Sequence, residues 1–403
     1  MIFVRVFVPF ALAYFLSYIF RTVNAVIAPD LVHDLGLDAA ALGFLTSAYF
    51  LAFSFTQLPL GILLDRFGPR RIESLFLIVG TIGAVVFALA ESRGVLILGR
   101  AMLGLGMSAC LMAAFKAFVV WFPGERLAFL NGLQMAVGGA GAVAATLPVE
   151  MALTVLDWRD LFLIMAGFCA LFAVAIYLVV PEREGSLSTV PFREQARGVG
   201  RVFSSVLFWR VAPFTVTTHA TFLALQSLWS GPWLRDVAGL GRESVATALL
   251  VLGLAMVAGF LFWGAAAVRL ERRGVHPLVV PVGGMALFVI VQFALIFEWT
   301  GFALILWALF GFLGSTGILV YALLSRSFPK ELAGRVNTAM NLLVFIGAFV
   351  VQWGIGEIIY LWPETATGYE PVAYQVAFGV MLAIQVLAFV WFMAVGRRVE
   401  VAA

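Results

Sequence analysis

Twelve unbroken apolar runs, each long enough to cross a bilayer, constrain this chain more than any other feature. A spanning helix needs about 20 mostly apolar residues. Charges and Pro/Gly breaks bound such runs near 6–29, 40–64, 72–91, 95–121, 127–155, 159–180, 208–232, 244–268, 277–297, 302–326, 334–361 and 371–395. The runs do not alternate polar with apolar residues, which excludes a β-barrel. Composition agrees: 63% of the 403 residues are hydrophobic and 12% are charged, against about 25% charged in a soluble domain. The expectation is an all-α polytopic membrane protein; a soluble enzyme, a disordered chain and a disulfide scaffold are excluded. Cys110 and Cys169 lie inside apolar runs with no disulfide or metal spacing, so they read as small core residues. The N-terminus imitates a signal peptide, with Arg5 ahead of an apolar run and Ala11-Leu12-Ala13 resembling a cleavage site. That run continues to Ala28, however, so it is expected to stay as a span.

A net charge of +3 is too small to point to nucleic acid. The basic residues instead fall unevenly between the runs. One set of loops holds Arg66, Arg70, Arg71, Arg126, Arg183, Arg193, Arg197, Arg201, Arg269, Arg272, Arg273, Lys330 and Arg335, and the termini on that side add Arg5, Arg397 and Arg398. The opposite loops hold few, such as Arg93, Arg159, Arg235 and Arg242. The positive-inside rule then predicts a multi-pass protein of the cytoplasmic (inner) membrane with both termini cytoplasmic.

The chain also repeats itself. Phe122-Pro123-x-Glu125 followed by Asn131 recurs as Phe328-Pro329-x-Glu331 followed by Asn337, and Asp65-Arg66-x-Gly68 recurs as Glu271-Arg272-x-Gly274. Every pair is 206 residues apart, as Phe122 and Phe328 are. One offset near half the length predicts a duplicated six-helix unit: an N-terminal bundle over 1–182, a cytoplasmic connector over 183–207 and a C-terminal bundle over 208–403. Parallel repeats of this kind are a transporter architecture, with substrate near the midplane between the halves.

The loop after the second run reads Gly61-Ile-Leu-Leu-Asp65-Arg66-Phe-Gly68-Pro-Arg70-Arg71. It resembles the signature G-x-x-x-D-R-x-G-R-R of the major facilitator superfamily, with Pro69 standing before the Arg pair. Gly99-Arg100, followed by Gly104 and Gly106, resembles that family's R-x-x-x-G-x-G. The resemblance implies twelve transmembrane helices in two pseudo-symmetric six-helix bundles, with Gly61, Asp65, Arg66, Gly68, Arg70, Arg71, Arg100 and Gly104 in gating roles. Asp65 at a helix end can make charge-assisted bonds to a neighbouring helix terminus, holding one side shut. The plainer alternative is an inside-positive stop signal.

Ionisable residues within the runs are the most informative, because a charge at mid-bilayer costs about 2.5–3.5 kcal/mol even on lenient scales. Arg21 lies just past the middle of the first run. Tyr14, Ser17, Tyr18, Arg21 and Asn24 share a helical arc of about 120° that can face a polar cavity. The forked guanidinium suits a planar or tetrahedral anion. The stretch from Tyr14 to Arg21 also looks like the first helix of organic-anion and organophosphate facilitators, a resemblance that implies substrate binding by Arg21. The alternative is an Arg paired with an acid or with helix-end carbonyls. Lys116, one of two lysines, either snorkels to the headgroups or serves substrate or coupling. Glu150 and Glu357 occupy near-equivalent places in the two halves. Each can pair with Arg21 or Arg100, carry a proton, or sit at the outer headgroups. His219 is a further proton candidate, with Gln226 along its face. Gln226, Tyr321 and Asn341 are cavity-wall candidates.

No G-x-x-x-x-G-K-[ST] occurs, so transport is expected to draw on a gradient; no catalytic set, metal site or cofactor motif is present either. The second and eighth runs lack the Arg pair associated with nitrate facilitators. The fifth lacks the adjacent Gly-Pro of the drug/proton antiporter motif. The reading is therefore a monomeric secondary transporter, not an enzyme. It would move a small organic anion by alternating access, coupled to a proton, with Arg21, Asn24, Tyr18, Tyr14 and Lys116 at the substrate. The rival is a proton-driven exporter of hydrophobic or drug-like compounds, which would explain the 38 Phe.

Overall fold

The computed structural model describes residues 2–182, 192–329, 332–365 and 368–400. Among them ten helices are long and apolar enough to cross a membrane. One of these, Ala39–Ala88, is two spans joined at Gly68, whose φ of 80° and ψ of 157° no helix accommodates. A further span is assembled from Val206–Ala224, a π-helical turn at Leu225–Trp229 and Ser230–Asp236. Twelve spans result, in two six-helix bundles. The helices are exposed on their lipid-facing sides, where residues such as Phe55, Leu178 and Leu387 have no core to enter.

The repeat is written into the backbone. Gly68 and Gly274, 206 apart, take φ of 80° and 83°. This left-handed turn is open to Gly at little cost, and it reverses the chain after the second and eighth spans. Phe122 and Phe328 leave their helices in the same extended conformation, with φ/ψ of −121°/150° and −113°/157°. The fourth span breaks between Met107 and Cys110, and the tenth changes to a 3₁₀ turn at Ser315–Ile318. The first span breaks at Val23, which the offset maps onto Trp229 in the π turn of the seventh. Both broken spans meet at the junction of the halves, where Gly231 lies against the Ala25 carbonyl.

With six spans in each half, the chain ends lie on one face, the terminal face. The loops at 36–38, 89–92, 154–157 and 237–241, with 360–365 and 368–370, lie on the other, the far face. The second and eleventh spans form the main seam between halves: Gly43 meets the Gln352 carbonyl, Phe44 meets Phe349 and Trp353, and Phe53 stacks on Phe345.

Gly104 shows how tightly one bundle is set. A Cβ there would sit 2.1 Å from the Tyr49 carbonyl oxygen, so the fourth span could no longer lie against the second without a backbone shift. Overpacking of this kind costs typically 1–3 kcal/mol and occasionally more. Gly104→Val is accordingly expected to lower the yield of folded protein and its melting temperature, read by fluorescence-detected size exclusion. Gly61→Ala, where nothing lies within 4 Å, is the neutral control.

Candidate functional site

Arg21 is 6% exposed, at the end of helix Ile2–Thr22, where the first span breaks. Its guanidinium lies over the ring of Tyr18 at 4.6 Å, and 5.5 Å from the rings of Phe53 and Phe345. The cage thus draws on the first, second and eleventh spans, and so on both halves. Arg21 makes no ion pair with an acid among the described residues, and its Nε has no hydrogen-bond partner.

The break is held open by Arg100, itself 1% exposed. Its Nη1 donates to the Phe20 carbonyl at 2.7 Å and its Nη2 to the Arg21 carbonyl at 3.4 Å. These are acceptors freed where the helix ladder is interrupted, the usual way a side chain stabilises a kink. Arg100 also lies over the Tyr49 ring at 4.9 Å. Its role here is to fix the segment that presents Arg21. Asn24, the first residue past the break, is fully buried and neither amide atom has a partner. Tyr14 stacks edge-on against Tyr18 and donates to the Met135 sulfur at 3.6 Å.

The second half adds a polar file. The Tyr321 hydroxyl donates to Asn341 Oδ1 at 3.2 Å, and Asn341 Nδ2 donates across the seam to Gln57 Oε1 at 2.7 Å. Gln57 and Asn341 lie one helical turn from Phe53 and Phe345, so the amide pair stands next to the stacked pair that flanks Arg21. His219 has its ring centroid 6.4 Å from that of Tyr321, and its Nδ1 has no partner. Gln226 faces elsewhere, donating to the Met256 sulfur at 3.0 Å.

On the far face the halves are pinned together. Arg242, the first residue of the eighth span, donates through Nη1 and Nη2 to both oxygens of Asp30 at 2.8 and 2.7 Å, and through Nε to Glu150 at 2.6 Å. Glu150 therefore pairs with Arg242, and not with Arg21 or Arg100 as the sequence allowed. On this face the paired strands Glu364–Thr365 and Gly368–Tyr369 lay Tyr369 across the seam, where its hydroxyl accepts from the Ala39 N–H at 3.2 Å. Asp236 anchors these strands by accepting from the Tyr369 N–H and the Tyr374 hydroxyl. Asp34 ties the end of the broken first span to the sixth. The Trp158 indole, then His33 and Arg159, hold its carboxylate below the ordinary range. Glu357, also on this face, is exposed and accepts from the Trp353 indole at 2.7 Å.

On the terminal face the ion pairs among the described residues stay within each half. Lys116 donates to Asp65 at 2.6 Å. The acid's repeat counterpart, Glu271, 206 residues on from Asp65, pairs with Arg326 at 3.4 Å, a cation at a different place in the repeat. Lys116 is thus engaged at the loop motif and is not among the groups caging Arg21. Arg71 pairs with Glu182 at 2.7 Å, Arg70 lies over the Tyr177 ring and Arg66 over that of Phe67. Lys330, Glu331 and residues 183–191 lie outside the described residues.

Sequence reasoning missed Gln57, Phe53 and Phe345, and it took Arg242 only as an orienting charge. Gln57 carried a signal, as an amide inside an apolar run. Phe53 and Phe345 carried none among so many phenylalanines.

A buried, acid-free arginine between two like-folded helical bundles, with one face pinned shut, defines a membrane transporter. The chain belongs to the Major Facilitator Superfamily, whose family model matches residues 10–352. It is similar over nearly its whole length to the "Probable sulfoacetate transporter SauU" of Cupriavidus necator, at 21% identity across 94% of this chain and 90% of that one. It is 27% identical to the hexuronate transporter of Escherichia coli across 49% of each chain. With an uncharacterized Bacillus subtilis transporter it shares 30% identity over 43% of this chain and 40% of that one, so these last two matches span half or less of the relatives. Among solved structures, an inward-facing bacterial homolog of the lysosomal transporter Spinster superposes with a TM-score of 0.75 at 18% identity, covering 97% of this chain and 96% of that one. A D-xylose–proton symporter superposes at 0.73 and 14% identity over 97% of each.

Proposed function

We propose that the protein is a secondary transporter that moves a small organic anion across the inner membrane by alternating access, coupled to a proton, with both termini cytoplasmic. The observation that carries the anion is Arg21: a buried guanidinium, caged by Tyr18, Phe53 and Phe345, with no acid of its own. A buried cation without a counter-charge is costly, and a bound carboxylate, sulfonate or phosphate ester relieves that cost. The Tyr321–Asn341–Gln57 file and His219 supply hydrogen-bonding groups beside it. That relatives carry the names of sulfoacetate and hexuronate transporters supports the same class.

In this reading Arg242 with Asp30 and Glu150 is the far-face gate, closed here. Asp65–Lys116 and Glu271–Arg326 are its terminal-face counterparts, each held within its own half, while Gln57–Asn341 and the Phe53–Phe345 stack span the seam beside the site. The 1–182 and 208–403 bundles rock about Arg21, and the protein works as a monomer.

A thermal-shift screen of the purified protein tests the class. One family of small acids is expected to raise the melting temperature while neutral isosteres do not, since a ligand stabilises only by binding the folded state. Stabilisation by neutral or cationic hydrophobic compounds, with acids inert, would establish the exporter instead.

A further inference from the structure

One acid belongs to neither the site nor the gates. Glu73 lies in the third span, is 0% exposed, and neither of its carboxyl oxygens has a hydrogen-bond partner. Cys110 of the fourth span faces it, and Cys169 of the sixth lies near, its thiol donating to the Leu77 carbonyl one turn along. The arginines nearest in sequence are engaged elsewhere, Arg70 over Tyr177 and Arg71 with Glu182. A carboxylate enclosed with only a weak thiol donor and no cation beside it is far costlier than the neutral acid.

Glu73 is also connected. Cys110 neighbours Ser17 of the first span, and Ser17 neighbours Tyr49 of the second. Tyr49 stands beside Arg21 and under Arg100. Ser17 Oγ and the Tyr49 hydroxyl are buried and unpartnered like Glu73 itself. Thiol and hydroxyl groups both donate and accept, so side-chain rotation that joins these groups in hydrogen bonds would let the file pass a proton between Glu73 and the Arg21 site.

We propose that Glu73 carries the coupling proton, with Cys110, Ser17 and Tyr49 as its path to the Arg21 site; this rests on the anion-transport reading above. With Glu73 neutral, Arg21 and Arg100 are the buried charges left among the described residues of this core, and an anion is held most strongly. With Glu73 ionised, its negative charge opposes the anion. Proton and anion therefore bind together and leave together, by the reciprocity of linked sites. The proton comes from water on one side, forms an O–H bond on Glu73, and returns to water on the other; no bond to the anion is made or broken.

Two measurements test this. Infrared spectra of the purified wild type are expected to show a protonated-carboxyl C=O band, sensitive to deuterium exchange, that is missing from Glu73→Gln. Identical spectra overturn the inference and need no substrate. In proteoliposomes, sulfoacetate uptake by wild type is expected to quicken about fivefold or more when the side of entry is acidified. Glu73→Gln should take up sulfoacetate at one rate with or without the gradient, while still exchanging internal for external sulfoacetate. Full gradient response in Glu73→Gln, or loss of exchange along with it, overturns the role of Glu73 alone. A wild type that exchanges sulfoacetate but ignores the gradient overturns proton coupling itself.

Discussion

Organic-acid uptake by Arg21→Ala in proteoliposomes is expected to fall about 30-fold or more below wild type, since losing one partner of a buried charge pair costs about 2–5 kcal/mol and 1.4 kcal/mol is tenfold. The size follows from burial. Arg21 is 6% exposed and faces aromatic rings rather than water, so its bonds to an anion are not screened. Arg21→Lys should recover only part of the rate, because an ammonium cannot reproduce the fork that meets two oxygens at once. Both variants should fold, since Arg100 and not Arg21 holds the break in the first span through the Phe20 and Arg21 carbonyls. Sulfoacetate, glucuronate and a set of phosphate esters would serve as probes. Undiminished uptake of a transported acid by Arg21→Ala would remove Arg21 from the site.

Arg242→Ala is expected to release the far face. One guanidinium there bridges two carboxylates of the opposite half, forked onto Asp30 and bonded to Glu150. Removing it loses three charge-assisted bonds and leaves two acids facing each other. Because the Arg242 side chain is 44% exposed, the buried-pair figure does not apply. A shift of about 1–2 kcal/mol, roughly tenfold in the balance of the two states, is the reasonable scale. The readout is a cysteine at Ala246, a buried residue beside the latch, labelled from the far side by an impermeant maleimide. The native thiols, Cys110 and Cys169, are buried and stay silent. Labelling should speed up about tenfold in the Arg242→Ala background. An unchanged rate would mean that the paired strands at Tyr369 and the Phe53–Phe345 stack close this face unaided.

Much of the site was legible because its residues break a strong pattern. Arg21 and Arg100 stand out as charges in apolar runs, and so does Gln57 as an amide. Glu73 escaped notice because it sits one turn past the Gly68–Arg71 loop, where an acid reads as part of the polar boundary. Only packing against Cys110 and Cys169 reveals that it is wholly enclosed. Lys116 was visible but its partner was not, since Asp65 is 51 residues away in sequence.

By itself the sequence determined the spans, the duplication and the family, because these rest on local hydrophobicity and on an offset of 206 that can be counted. The tertiary structure alone decided which charges meet. Glu150 was open to Arg21, to Arg100 or to the headgroups until the packing of the fifth span against the eighth set it beside Arg242. Arg100 was a cation of unknown partner until the break at Val23 turned two backbone carbonyls toward it. In hydrocarbon every backbone polar group must be satisfied within the protein, and at a break in a helix the partner that satisfies it is fixed by the path of helices distant in sequence.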